Sequence, residues 1–441
     1  MNNQRICIIG AGLAGLASAY DLGRQGRPIT LLESSRDLGG LASSIRINGH
    51  PVERFYHFIC RPDHDLIQLV EELGIGDRLH WRRSRTDFFH NGRLYGFGSP
   101  LDLLRFSPVP FFQRIRFGLN VINSRYRREW SRLDRLSARA WLIQQIGETA
   151  YEVIWDPLLR VKFGDFHDRV SAAWIWHRIN RVARSRRHVW EPEHLGYLEY
   201  GSYTVIGALA ERLKQMPNVT VRADVSVSRI EISEGRVTGV RLAGEDEAIP
   251  CDVVVSTAAL PVLLSLAPDL AEDYRRQLAG IDYLGVVCGL LKLRQPLTRA
   301  FWTNINDPRI PYNGCIEYTN LNRHLDLGGS SIVYIPYYLP TSHERFAYSD
   351  ERLMQEFVDG LRLVNLAFDE TWIEEAHISR AAYAQAICST GFVDRIPEHQ
   401  TPVEGLYITD STQFYPEDRT ISAAIRMGRT VARLISARRT N

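Results

Sequence analysis

Lysine is almost missing from this 441-residue chain: Lys162, Lys214 and Lys292 are the only three, so nearly all of the 53 basic residues are arginines. Against 51 acidic residues they leave a formal charge of +2, so no global positive field points to a nucleic acid as partner. The six cysteines (Cys7, Cys60, Cys251, Cys288, Cys315, Cys388) form no CxxC pair and no Cys/His cluster. That argues against a disulfide frame or a metal site and predicts reduced core thiols in a cytoplasmic protein. No run of roughly 18 apolar residues occurs, which excludes a membrane-crossing helix from the reading. The longest stretch, Val253 to Leu266, is broken by Ser256, Thr257 and Pro261. Ile6 to Ile9 is too short for a signal-peptide core and runs directly into glycines. GxSxG, HExxH and Walker patterns are absent as well.

What is present begins at that first apolar run. Arg5 to Ile9 reads as a buried strand, followed by Gly10-Ala11-Gly12-Leu13-Ala14-Gly15, a helical segment to Gly26, and a second strand Ile29 to Glu33. This is the order of a dinucleotide-binding βαβ unit. Gly10 allows the tight turn, Gly12 lets the backbone approach a pyrophosphate beside Ala14, and Gly15 lets the helix pack on the strand. Glu33, ending the second strand, is placed to accept from a ribose 2′-hydroxyl and disfavours a 2′-phosphate.

The next residues narrow the reading. Glu33, Arg36, Gly39 and Gly40 form E-x2-R-x2-GG, followed by Leu41-Ala42-Ser43. This segment resembles the flavoprotein group of amine oxidases, phytoene-type desaturases, protoporphyrinogen oxidases and UDP-galactopyranose mutases, in which it wraps the FAD pyrophosphate. The residues after the glycines are more similar to the desaturase, protoporphyrinogen oxidase and mutase branches. Two further segments look like cofactor elements of the same group. Asp224 to Ile230 resembles the adenine-side strand, with Val227 as the residue at the adenine edge. Gly405 to Ser411 and Thr420 to Gly428 resemble the C-terminal flavin motif, which implies Asp410 at the ribityl or pyrophosphate region and Ile421 and Ser422 N–H groups facing the flavin O2. The cofactor so implied is FAD, held non-covalently, because no tethering motif surrounds Cys388.

The expected fold is α/β: a Rossmann-like FAD-binding domain, discontinuous in sequence (1–90, 200–280 and 385–441), with a mixed α+β substrate domain formed by insertions. Residues 91–199 supply its helical part and 281–384 its sheet part, with a helix over 350–368 beside it and a strand pair expected over Val219 to Ile232. In the helical part, Phe111, Phe112, Ile115, Leu119 and Ile122 share one helical face. Two readings fit it, a surface helix turning a core stripe inward or a helix lying in a membrane interface. The basic run Arg178 to Arg187, with Trp174, Trp176 and Trp190, keeps peripheral membrane contact through residues 100–190 open, at the inner face of a membrane.

For chemistry, the resemblance implies hydride transfer from a substrate C–H to flavin N5, with the protein supplying position, dryness and electrostatics. His57, in Glu53-Arg54-Phe55-Tyr56-His57-Phe58, is the first candidate for a proton relay or flavin contact, against a structural histidine bonded to backbone. Tyr56 accompanies it. Lys162 is a candidate for substrate contact, whereas Lys292 reads as the exposed end of a strand. Tyr312, Tyr318, Tyr334, Tyr337 and Tyr338 fit either an aromatic pocket or sheet packing. Arg419, in Tyr415 to Arg419, fits either a phosphate or substrate anion or a solvated loop. The function expected is oxidation or desaturation of a bulky apolar small molecule, with oxygen or a quinone as electron acceptor and no nucleic acid. A non-redox sugar-nucleotide mutase is the alternative, and a binding protein resembling Rab GDP-dissociation inhibitor is the third class.

Overall fold

The computed structural model describes residues 4–188 and 191–437, so Trp190 lies outside the described residues. A five-stranded parallel sheet carries strands in the order Leu406–Ile408, Val253–Ser256, Ile6–Ile9, Ile29–Leu32, Val219–Arg222. Its central strands Ile6–Ile9 and Val253–Ser256 are buried throughout, as parallel strands under helices require, while the edge strand Val219–Arg222 is partly exposed. Helix Leu13–Gly23 and the last helix, Ile421–Ala437, lie together, and a Cβ at Gly428 would come within 2.1 Å of the Ala14 carbonyl. The two ends of the chain therefore meet over the same sheet.

The segment Val219 to Ile232 is not a strand pair. Val219–Arg222 joins the parallel sheet, while Val227–Ser233 pairs with Arg236–Leu242 in a separate three-stranded sheet. Alternation predicts strands but not partners, because register and pairing are set by the surfaces each strand covers.

A seven-stranded sheet forms the second layer, in the order Ile373–Ala386, Tyr283–Leu293, Ser331–Leu339, Gly314–Glu317, Trp302–Asn306, Thr86–His90, Arg93–Gly96. Thr86–His90 runs parallel to Trp302–Asn306, so the border read at residue 90 falls inside a hairpin of this sheet. Helix Asp350–Val364 covers one face, with Phe357 set so closely on Gly289 that a Cβ there would meet its ring at 2.5 Å. Lys292 is not an exposed strand end. It is 8% exposed and its Nζ lies 3.0 Å from Glu374.

Helices from Pro100–Arg105 to Ala172–Arg184 form the remaining layer. The apolar stripe of Phe111–Tyr126 does not turn inward: Asn120 and Ser124 are its buried residues, while Phe112 is 78% exposed and Phe111, Ile115 and Leu119 are exposed beside it. The core-stripe reading fails because another face turns inward: Phe117 and Val121 pack on the core, and the neighbouring helix Ala172–Arg184 adds polar contacts. Trp176 Nε1 and Asn180 Nδ2 both donate to the Ser124 carbonyl, at 3.2 and 2.7 Å. Arg181, on the same helix, forms a two-bond pair with buried Asp63 (3.1 and 2.7 Å), tying the helical layer to the first part of the chain.

Candidate active site

Two glycine turns face each other at the edge of the parallel sheet. Gly10 adopts φ +95°, and a Cβ at Gly15 would sit 1.9 Å from the Gly10 carbonyl, which fixes how closely the first helix approaches its strand. No heavy atom lies within 4 Å of where a Gly12 Cβ would be, so the turn is open there. The helix start has no side-chain cap, and Leu16 N–H bonds the Gly12 carbonyl at 2.9 Å. The N–H groups of Leu13, Ala14 and Gly15 are left without intrahelical partners, where the helix dipole favours an anion. Gly39 donates to the Ala11 carbonyl (2.8 Å), and in the short turn Gly40–Ala42 a Cβ at Gly40 would lie 3.3 Å from the Gly12 Cα, while Ala42 packs in the core that holds the first helix and Leu41 turns toward Ile47 and Val52. Arg36 is exposed beside it.

Glu33 locks these pieces. Its Oε2 accepts from Ala11 N–H at 2.7 Å and its Oε1 from Ser35 N–H at 2.9 Å and the Ser34 hydroxyl at 3.2 Å. Its carbonyl accepts from Val225 N–H (2.9 Å), and Val227 opens the next strand two residues later.

At the far end, Asp410 ends the parallel sheet's edge. Its carboxylate accepts from Thr412 N–H and Oγ1 (2.8 and 2.6 Å), Leu260 N–H (3.3 Å) and the Tyr283 hydroxyl. Burial pushes its carboxyl up while these donors pull it back. A direct ribityl contact by this carboxylate would displace one of those donors. The helix Ile421–Ala437 begins nearby, where Thr420 takes up the Ala423 and Ala424 N–H groups. The Ile421 and Ser422 N–H groups are left with no protein acceptor among the described residues. The two opposed turns, the acid and these N–H groups fit an extended dinucleotide with a diphosphate at its centre.

Beside that helix start opens a cavity of about 580 Å³, walled mostly by apolar and aromatic side chains from the helical layer and the seven-stranded sheet. At one end it reaches Arg419, Thr420 and Ile421; at the other it meets Leu103, Ile115 and Leu119 near the exposed helix face. His57 and Tyr56 line it. His57 Nδ1 is 3.2 Å from Oε1 of Glu53, which is 1% exposed, so the ring is held by a buried carboxylate rather than by backbone. Tyr56 Oη lies 3.2 Å from Tyr338 Oη, and burial pushes the Tyr56 phenol up.

Lys162 stands among aromatic rings, its Nζ 4.6 Å from the Trp174 centroid and 4.7 Å from that of Tyr338. Burial lowers its ammonium to about 7; Asp418 opposes the shift, and the charges of Arg178 and Arg419 add to it. Asp418 accepts from Arg178 Nη1 at 2.8 Å and from Arg419 N–H at 3.0 Å. Burial alone would raise its carboxyl, yet Lys162, Arg178 and Arg419 together hold it at about 2. Arg419 Nη2 donates to Tyr338 Oη at 2.9 Å. The segment around Arg419 is thus a cavity wall and not a solvated loop.

The sequence matches the family described as flavin containing amine oxidoreductase over residues 13–436. The chain belongs to that family. Membership implies an oxidoreductase with a flavin cofactor. Among curated relatives, hydroxyneurosporene desaturase of Rubrivivax gelatinosus is 27% identical over 289 residues, 58% of this chain and 53% of that protein. Protoporphyrinogen oxidase 2 of Arabidopsis thaliana is 27% identical over 78 residues, 18% of this chain and 15% of that protein. The matched stretches thus reach at most about half the length of these relatives. Among solved structures, reduced UDP-galactopyranose mutase has a TM-score of 0.78 at 16% identity, covering 100% of this chain and 97% of that one. At such identity the likeness speaks for the fold.

Of the residues the sequence nominates, Tyr56, His57 and Lys162 meet at one cavity, and Gly10, Gly12, Gly15, Glu33, Gly39 and Gly40 meet at the paired turns. Among the tyrosines, Tyr338 faces the cavity, while Tyr312, Tyr318, Tyr334 and Tyr337 are buried around the sheet. Cys388 is buried, and desolvation pushes its thiol up, as for a packed and unreactive group. Sequence reasoning assigned no role to Glu53 or Asp418, and it read Arg178 as part of a basic run for membrane contact, whereas its guanidinium pairs with Asp418 on the cavity wall. Trp174, Arg178 and Arg181 recur at four- and three-residue spacing on helix Ala172–Arg184, a pattern that marks one shared face. Away from the cavity, donor atoms of His80, Glu199 and His324 lie within 4.8 Å of one another, with Arg78 already on Glu199 at 3.1 Å.

Proposed function

We propose that the protein is an FAD-dependent oxidoreductase that dehydrogenates or desaturates a bulky, largely apolar small molecule. The observation that supports this reading is the large apolar cavity ending where helix Ile421–Ala437 begins. Gly10, Gly12, Ala14, Gly15, Gly39, Gly40, Leu41 and Ala42 cradle the diphosphate non-covalently, with Arg36 at its rim. Glu33 orients the ribose and Val227 the adenine, while Asp410 holds the loop that leads to Ile421 and Ser422. The bound flavin supplies the hydride acceptor. The chain's own residues exclude water, align the substrate and manage protons. With Nδ1–H of His57 donating to Glu53, Nε2 is left as an acceptor toward the cavity. Tyr56 and Lys162 border the same space. Oxygen or a quinone takes the electrons afterwards.

A sugar nucleotide, the substrate of the mutase alternative, could set its phosphates on the cations of this cavity but would have to bury its sugar and ribose hydroxyls along Phe97, Phe117, Ile122 and Trp155, which offer few partners. Mixing the flavin-loaded protein anaerobically with isoprenoids, porphyrinogens, amines and UDP-galactopyranose separates the readings. The proposal expects stoichiometric bleaching by an apolar substrate. Turnover of the sugar nucleotide by dithionite-reduced protein, with no bleaching by any apolar candidate, would reverse it. His57→Ala should retain flavin and lose roughly 100-fold in the rate of bleaching, measured by stopped flow; an unchanged rate would return His57 to a purely structural role.

The exposed face of Phe111–Tyr126 adjoins the cavity mouth and carries exposed Arg116 beside Phe112 and Ile115, with half-buried Arg114 at its side; both guanidiniums also donate to backbone carbonyls, of Gln144 and Gln145 and of Leu104. We assign this face to the surface of an anionic membrane, from which an apolar substrate passes into the cavity. No described helix is long and apolar enough to cross a membrane. Co-sedimentation with phosphatidylserine-containing liposomes should disappear when Phe111, Phe112 and Ile115 are all changed to serine. Absence of binding by the unaltered protein at low salt would end this assignment.

A further inference from the structure

The inner end of the cavity carries more positive charge than its apolar walls call for. Lys162, Arg178 and Arg419 converge there on one carboxylate, Asp418, whose two oxygens are already engaged by Arg178 Nη1 and the Arg419 N–H. Lys162 Nζ has no hydrogen-bond acceptor among the described residues. It is surrounded by the faces of Trp174, Tyr338 and Phe163, at 4.6, 4.7 and 5.5 Å. Such rings make a buried ammonium tolerable but satisfy none of its three N–H groups. Arg178 uses only Nη1, leaving the rest of its guanidinium toward the same space.

We propose that this end of the cavity is an anion subsite, where Lys162 and Arg178, backed by Arg419, receive the carboxylate or phosphate head of an otherwise apolar substrate. The inference rests on the oxidoreductase reading above and narrows its substrate class to an acid or phosphate ester with a large hydrocarbon body. It also disfavours an amine substrate, whose ammonium would meet three cations and one occupied carboxylate. Lys162 binds as a point charge, and Arg178 offers a planar fork suited to two oxygens.

The test uses one hydrocarbon body with four heads: geranylgeranoic acid, geranylgeranyl phosphate, geranylgeraniol and geranylgeranylamine. Each is titrated into the flavin-loaded protein, with perturbation of the flavin absorption and tryptophan quenching as readouts. At least one of the two anionic probes should bind about tenfold or more tighter than the alcohol, as a charge-assisted contact in a dry site implies, and the amine should bind most weakly. Whichever anion wins identifies the head as carboxylate or phosphate. Lys162→Met and Arg178→Gln should each reduce that preference while leaving the alcohol's Kd within about twofold. Equal affinities for all four heads, no binding of either anion, or an undiminished preference in both variants would overturn the proposal. So would variants that alter only the flavin spectrum, which would assign the cations to the ring instead. Flavin content is read in the same samples. A flavin-loaded protein that ignores the head group sinks this inference alone, whereas one that cannot take up FAD sinks the reading beneath it.

Discussion

Gly15→Val should yield a protein that keeps its second sheet but purifies with little or no flavin. At this position a bare Cβ already lies 1.9 Å from the Gly10 carbonyl and 3.1 Å from its carbon, so the obstacle is backbone and cannot rotate aside. The first helix must move off its strand, and the N–H groups of Leu13 to Gly15 move with it. Hydrogen bonds to phosphate weaken steeply with displacement, and each charge-assisted one lost costs about 1.5–3 kcal/mol, so two or three together lower affinity by more than about 100-fold. Gly207→Ala is the control. That glycine lies in helix Ser202–Lys214, with open space where a Cβ would be. The flavin-to-protein absorbance ratio, with circular dichroism to confirm folding, decides the comparison. A Gly15→Val protein carrying stoichiometric flavin would mean that this turn does not hold the diphosphate.

Lys162→Met should stabilise the protein near neutral pH. An ammonium held to about 7 in the fold, against an ordinary value of 10.5, makes the charged form a burden on the native state. Because the folded value is depressed, the penalty is absent above the unfolded pKa, grows as pH falls from about 10.5 to 7, and is constant below. Methionine fills a similar volume without the charge, so the gain is roughly 4–5 kcal/mol at or below pH 7, fading by about pH 10. The groups facing Lys162 are Asp418, Arg178, Arg419, Tyr338 and Cys388. Asp418, the one strong acid among them, retains both arginines in the variant, so its charge stays compensated. Urea unfolding at pH 6, 7.5 and 9.5 gives the difference directly. A destabilised variant, or a gain independent of pH, would mean that Lys162 is not the buried, depressed amine described above. A charge kept at such a cost beside a cavity is the pattern expected of a group retained for function.

The glycine turn after the first strand was legible because its signals are local. Gly10, Gly12 and Gly15 answer to backbone geometry within one turn, and the turn is built as their spacing implies. Asp410 shows the limit of that logic: the acid was visible, but not that Thr412, Leu260 and Tyr283 would engage its carboxylate, since two of those donors come from distant segments. Lys292 failed for a related reason. A lysine near the end of a strand reads as solvated, yet its strand is central and Glu374 comes to it from the neighbouring edge. Val219 to Ile232 carries correct alternation that says nothing of which sheet each half joins. The cavity cluster was the least legible. Lys162 and Arg178 stand on two helices close together in the chain, but Asp418 comes to them from a loop some 240 residues further on, and no spacing in the sequence encodes their convergence. The apolar stripe of Phe111–Tyr126 was visible, but the packing of Phe117 and Val121 on the core, with Trp176 and Asn180 on Ser124, decides which way it faces.

The most direct test of the whole account is the cofactor itself. Protein purified without added flavin, then denatured and analysed by mass spectrometry and absorbance, should release one intact FAD per chain with none left attached to the polypeptide. A colourless protein that cannot be reconstituted with FAD would contradict the account at its base.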